Sequence, residues 1–76
     1  MARAKYYIKR QFQGDKAEEI ADYTRKDKAE KYLNLLFKDL GSMACNSAYW
    51  VRTGYFKVDY VSILGIVTTE YWIEKY

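Results

Sequence analysis

The chain opens with a run of β-prone residues that predicts a strand. Residues 5–13 are rich in Tyr, Ile and Phe, and they end at Gly14-Asp15, a pair typical of turns. Residues 16–23 are ambiguous, because their apolar positions also fit one face of a short helix. Their place directly after a turn favours a second strand that forms a hairpin with the first.

An amphipathic helix after this hairpin is the clearest element of the chain. Thr24 is a good N-cap residue, and Asp27 lies three residues later, where a capping box places an acid. Apolar residues then recur at helical spacing, at Ala29, Leu33, Leu36 and Leu40. Gly41 follows at the position where a helix would end, as a C′ residue that tolerates a positive φ.

β-branched and aromatic residues dominate the rest of the chain. They predict strands near 47–53, 55–64 and 67–75, with Gly54 and Gly65 as breaks or bulges. The first two of these strands could instead form one long bent strand. The predicted fold is α+β, a single domain in the order β-β-α-β-β with room for a fifth strand. It is a small antiparallel sheet of four to five strands with one helix packed on one face.

One short pattern occurs three times in the predicted strands. Tyr is followed by Tyr or Trp, then by Ile or Val, then by a charged residue, at 6–10, 49–53 and 71–75. Neighbouring side chains of a strand point to opposite faces of the sheet. The first Tyr and the Ile or Val of each phrase should therefore lie under the helix. The second aromatic residue and the charge should lie on the other face.

A single helix covers only one side of a sheet, so this second face should be partly exposed. Exposed aromatic residues beside cations have the composition of a protein interface. The candidate partner-binding residues are Tyr7, Trp50 and Trp72 as anchors, with Lys9, Arg10 and Arg52 as orienting cations. Cross-strand aromatic pairs also stabilise small sheets without any ligand, and this alternative stays open.

The charge distribution adds a second candidate. The formal net charge is +3, and the first forty residues contain ten Lys or Arg against seven Asp or Glu. Four of these cations surround the predicted helix start and form a candidate anion-binding group: Arg25, Lys26, Lys28 and Lys31. Free N–H groups at a helix start favour anions such as phosphate. A solvated, lysine-rich helix face is the simpler explanation.

The residue inventory argues against an enzyme. Half of the 76 residues are hydrophobic and 18% are aromatic, which is typical of a folded domain. The sequence has no histidine, so it lacks the commonest general base and metal ligand. Its one cysteine, Cys45, can form neither an internal disulfide nor a zinc cluster. The four glycines are scattered singly. We therefore expect no catalysis, metal or cofactor.

The same inventory predicts a cytoplasmic protein without membrane contact. The first residues lead into a polar, aromatic stretch rather than the apolar core of a signal peptide. The most apolar segment, 60–67, is far shorter than the ~20 residues that span a bilayer. A single cysteine in so small a domain is typical of a reducing compartment.

The first half of the chain resembles small phage and prophage proteins in which a hairpin leads into one helix. The resemblance is carried by the hairpin, by TRKDKAE at 24–30 and by SAYWV at 47–51, and it covers about residues 5–53. The layout is similar to that of small anti-CRISPR proteins, which are binding inhibitors of host defence complexes. The likeness is one of element order, so it assigns no binding residue.

These observations predict a small, non-catalytic protein-binding module, in the style of a phage-derived inhibitor that docks on a larger host or defence complex. One alternative is a single-stranded nucleic-acid-binding protein that stacks bases on the same aromatic residues. Another is a self-associating protein that binds a small ligand, with a homodimer as its form.

Overall fold

Five strands and one helix make up residues 5–75, the part of the chain that this computed structural model describes. The elements are β1 (Tyr6–Phe12), β2 (Glu18–Tyr23), α1 (Lys26–Gly41), β3 (Asn46–Arg52), β4 (Tyr55–Ser62) and β5 (Gly65–Lys75). The prediction about the amino terminus falls partly on residues 1–4, which lie outside the described residues. The one helix in this range is 16 residues long and is neither long enough nor apolar enough to cross a membrane.

The strands form one antiparallel sheet in the order β2-β1-β5-β4-β3. The first and last strands pair in its middle, where Ile8 lies opposite Ile73. The predicted α+β fold is confirmed, and so is the second strand in the ambiguous segment 16–23. The fifth strand is also present. The alternative of one long bent strand over 47–64 is wrong, because the chain reverses at Gly54 with a φ of +81°.

The core lies between α1 and one face of the sheet. The helix contributes Ala29 and Leu33, which are fully buried as their spacing predicts. From the sheet, Ile8, Phe56 and Tyr71 meet them. The rings of Phe56 and Tyr71 stack with their centroids 5.0 Å apart. Alternation along three neighbouring strands thus supplies one apolar face, and the helix buries it.

The predicted helix start is wrong by one residue and the predicted helix end by two. The N-cap is Arg25 rather than Thr24, and no side chain caps the helix; instead the Arg25 guanidinium donates to the Asp27 carboxylate at 3.0–3.1 Å. Gly41 is the last helical residue rather than C′, and Ser42 is the C-cap. A Cβ on Gly41 would lie 3.4 Å from Ala48 Cβ. A side chain at position 41 would therefore be in van der Waals contact with β3.

Candidate protein-binding surface

The side of the sheet that faces away from α1 mixes aromatic and charged side chains. We call it the open face. Its central aromatic and charged residues are Tyr7 and Lys9 of β1, Glu70, Trp72 and Glu74 of β5, Tyr55, Lys57 and Asp59 of β4, and Tyr49 and Arg52 of β3. The registers place these residues together, because directly opposite residues of antiparallel strands point to the same side.

The middle of the open face contains three of the predicted partner-binding residues. Lys9 lies directly opposite Trp72, and Tyr7 lies opposite Glu74. The Trp72 ring meets the ring of Tyr55 edge to face, with centroids 6.3 Å apart. The prediction that Tyr7, Lys9 and Trp72 share the face opposite the helix is confirmed.

Charged side chains of the open face bind one another and the aromatic residues. Lys9 Nζ lies 3.6 Å from Glu74 Oε2 and 5.9 Å from the centroid of the Tyr7 ring. The Tyr55 hydroxyl donates a hydrogen bond to the Glu70 carboxylate. This bond stabilises the neutral phenol and raises the pKa of Tyr55, with burial as a smaller cause. The side chains of Tyr7, Tyr55 and Trp72, at the centre of the open face, are half-buried.

Trp50 does not lie on the open face, and its predicted placement there is wrong. Its ring stacks on Phe37 of α1 at 4.8 Å and meets Phe56 at 5.1 Å, on the helix-covered side. Tyr49 takes its place on the open face, opposite Lys57. A shift of one residue moves every side chain of a strand to the other face, and β3 packs against α1 in the opposite phase to β1 and β5.

Two of the predicted orienting cations, Arg52 and Arg10, lie on opposite faces of the sheet. Arg52 reaches the open face because Val51 is a bulge residue, and its guanidinium lies 5.4 Å from the centroid of the Tyr55 ring. Arg10 pairs with Tyr71 in the register, so it lies on the helix-covered side, where it binds the Glu18 carboxylate. Arg10 therefore cannot act together with the open face.

The candidate anion-binding group lies on the solvent-facing side of the first helical turns. Lys26, Lys28 and Lys31 are exposed, and Arg25 is the residue that binds Asp27. The Asp27 carboxylate thus offsets one of the four charges at the helix start. Among the described residues, no group of three or more His, Cys, Asp or Glu is placed to hold a metal ion.

An exposed apolar cluster that the sequence analysis did not predict lies at the end of the β4–β5 hairpin. Ile63 and Leu64 form the two-residue loop and are 102% and 94% exposed. Four further apolar residues are exposed on the adjoining strand ends. We call the whole cluster the apolar tip, and it consists of Tyr60, Val61, Ile63, Leu64, Ile66 and Val67.

The apolar tip extends beyond the rest of the sheet. The neighbouring strands reach only its base: β1 ends opposite Thr69, β3 begins opposite Tyr60, and the Val61 N–H bonds to the Cys45 carbonyl just before β3. Ser62 organises the loop, because its Oγ donates to the Gly65 carbonyl at 2.9 Å and accepts from the Leu64 N–H at 3.2 Å. The tip is thus an ordered apolar projection. Its signal in the sequence is the uncharged stretch 60–69, which continues through a turn.

No protein-family model, curated protein or solved structure matches this chain. The resemblance to phage and anti-CRISPR proteins therefore stays a prediction.

Proposed function

We propose that this chain is a non-catalytic protein-binding module that docks on a larger protein through its apolar tip, with the open face as a flanking contact surface. The observation that carries the proposal is the exposure of Ile63 and Leu64 at the end of an ordered hairpin. Two-residue hairpin loops usually contain Gly, Asn or Asp, which suit the backbone and the solvent. Exposed apolar clusters on soluble domains mark interaction sites.

The charges of the open face favour a protein partner over a nucleic acid. The carboxylates of Glu70, Glu74 and Asp59 lie on this face among the aromatic residues and would repel phosphates. A base-stacking surface combines aromatic residues with a cationic groove that follows the backbone. A mixed surface of Tyr, Trp, Arg, Lys and Glu is instead typical of the rim of a protein interface.

The proposed module acts by occupying its target rather than by chemistry on it. In the form that the resemblance implies, it is a phage-derived inhibitor of a host or defence complex in the cytoplasm. A rigid two-stranded projection suits this role, because apolar anchors that are ordered before binding lose little conformational entropy on docking.

The first test is affinity capture with the tagged protein from a lysate of its host. We expect a stoichiometric protein partner that remains after nuclease treatment and at high salt. The double variant Ile63→Ser/Leu64→Ser should lose this partner, since it removes the two most exposed anchors and keeps the Ser62 hydrogen bonds. The measurement is the amount of partner bound, by quantitative mass spectrometry.

Leu35→Ser is the matched control, because Leu35 is another exposed apolar residue, on the outer side of α1. It should retain the partner. Retention of nucleic acid that nuclease or salt removes would support the nucleic-acid alternative. Equal binding by the tip variant and the control would contradict the tip as anchor.

A further inference from the structure

The two edges of the sheet differ in how they are protected against pairing. Edge strands present unpaired backbone groups, and proteins protect them with charges and bulges. The β2 edge has three carboxylates, at Glu18, Glu19 and Asp22, and a register shift in its middle. On the opposite edge, β3 has a single charge, Arg52, at its end, and its register is regular from Asn46 to Trp50.

The backbone groups that β3 leaves at its outer edge follow from its pairing with β4. The Val61 N–H donates to the Cys45 carbonyl at 2.9 Å, whereas the Asn46 N–H donates to Met43. In an antiparallel pair the hydrogen-bonded positions alternate. The odd residues 45, 47 and 49 therefore bond to β4. The N–H and C=O groups of Ala48 and Trp50 point away from the sheet.

Two open cavities of about 500 Å³ each lie along the same edge, between β3 and α1. Trp50 and Asn34 line the first cavity, and Ala48, Gly41 and Lys38 line the second. Both cavities thus lie beside β3, whose outward backbone groups have no partner strand in this chain.

We propose that a second copy of this chain occupies this edge, with the two β3 strands paired antiparallel about Tyr49. In this register Ala48 of each copy lies opposite Trp50 of the other copy. Each of these two pairs exchanges two backbone hydrogen bonds, which gives four bonds in all. The proposed register is consistent with the pairing of β3 and β4, because Ala48 and Trp50 are the residues whose backbone N–H and C=O groups point outward. The two sheets become one sheet of ten strands with both helices on the same side.

The side chains and charges of β3 suit this self-pairing. Tyr49 meets Tyr49 of the second copy across the two-fold axis on the open face, as a cross-strand aromatic pair. On the covered side, the small Ala48 of each copy meets the part of the Trp50 ring of the other copy that its packing on Phe37 leaves exposed. The two Arg52 side chains lie at opposite ends of the paired strands. Such reciprocal contacts are what a two-fold interface requires.

The first measurement is the mass in solution by light scattering across a dilution series. We expect a reversible species of twice the 9.1 kDa chain mass at high concentration. Tyr49→Lys should raise the dimer dissociation constant at least about tenfold, since it places like charges directly opposite each other. Tyr49→Glu should do the same, and an equimolar mixture of the two variants should dimerise again. Tyr49→Phe is the conservative control and should still dimerise.

A disulfide trap tests the register. In a Cys45→Ser background, Tyr49→Cys should cross-link to the second copy under oxidation, because directly opposite Cβ atoms come within disulfide reach. Asp22→Cys in the same background is the matched control on the β2 edge, and it should dimerise through β3 without forming the cross-link. A wild-type monomer at the highest soluble concentration would overturn the proposal and leave the edge to an extended segment of a different protein. A dimer that survives Tyr49→Lys would overturn it as well. The outcome is independent of the apolar tip, which these variants leave intact.

Discussion

Two neighbouring aromatic pairs on β4 and β5 show how differently the two faces of this sheet are built. Phe56 and Tyr71 lie opposite each other on the covered face, and the next pair along, Tyr55 and Trp72, lies on the open face. The first pair stacks in a dry core under α1. In the second, Tyr55 donates a hydrogen bond to Glu70, and Trp72 lies opposite Lys9.

The difference shows that aromatic content alone does not separate core from surface in this chain. The covered pair stabilises the fold by removing apolar area from water. The open pair remains half-buried and keeps polar partners, so part of its area is available to a second molecule. The variants below test this contrast, beginning with the largest expected effect.

Phe56→Ala should be the most destabilising change. Phe56 is fully buried between Tyr71, Trp50 and Phe37, so truncation removes apolar contacts and leaves a cavity. The expected loss is about 3–5 kcal/mol in the free energy of unfolding, by urea denaturation. Phe56→Leu, which refills much of the space, should lose clearly less. If Phe56→Ala lost no more free energy of unfolding than an open-face variant, the contrast between the covered and open faces would be contradicted.

Trp72→Ala should have an intermediate effect. The indole is half-buried and contacts Tyr55, so we expect a loss of about 1–2 kcal/mol with a cooperative transition retained. Trp72→Phe keeps an aromatic ring at this position and should recover most of the loss. The check is the urea midpoint with the m-value. An unfolded Trp72→Ala chain would place Trp72 in the core and argue against the open face as a contact surface.

Alkaline pH should destabilise both pairs, through different causes. Burial raises the pKa of Tyr71, with a weaker opposing effect from Arg10, and the hydrogen bond to Glu70 raises that of Tyr55. A raised folded-state pKa means that the unfolded chain loses its phenolic protons first. The resulting stability is fully present below the ordinary tyrosine pKa of about 10 and is lost as the pH rises through the folded-state values.

Tyr55→Phe isolates the open-face share of this effect. It should cost at most about 1 kcal/mol at neutral pH, since one half-exposed hydrogen bond is lost. The loss of stability above the ordinary tyrosine pKa should also become shallower. Thermal unfolding of both proteins across neutral and alkaline buffers provides the measurement. Identical pH dependence in the two proteins would show that Tyr55 contributes nothing to the alkaline loss.

Ile63→Ser/Leu64→Ser should have the smallest effect on stability. These two side chains belong to neither face and lose almost no area on folding, so the change should stay within about 0.5 kcal/mol. Circular dichroism and the urea midpoint should match the wild type. A large destabilisation would mean that the apolar tip packs against the domain, and binding losses in this variant would then have a structural cause.

The covered core was predictable because its signals are local. Ala29 and Leu33 follow the helical period, and Ile8 and Tyr71 follow the strand alternation, so each residue's neighbours in sequence indicate its face. Trp50 was predicted on the wrong face. It belongs to the same kind of phrase as Trp72, but the bulge at Val51 and the packing of β3 on Phe37 set the opposite phase.

The apolar tip was not predictable for a different reason. Two strands were predicted at 55–64 and 67–75, but β4 ends at Ser62 and β5 begins at Gly65, so Ile63 and Leu64 lie in the loop and not in a strand. Apolar residues near a strand end are usually buried by neighbours. The exposure of Ile63 and Leu64 depends on β1 and β3 stopping short of the β4–β5 loop. Strand ends are set by long-range pairing, which local patterns indicate poorly.

By itself, the sequence determined the helix, its buried stripe and the strand-forming character of the segments around it, because these depend on turns, periodicity and propensity within a few residues. The tertiary structure alone decided the strand order β2-β1-β5-β4-β3, the phase of β3 and the unpaired end of the β4–β5 hairpin. Each of these is a choice of partner between distant segments. The backbone offers the same hydrogen bonds to any strand, so the choice is made by how side chains pack once the whole sheet is assembled.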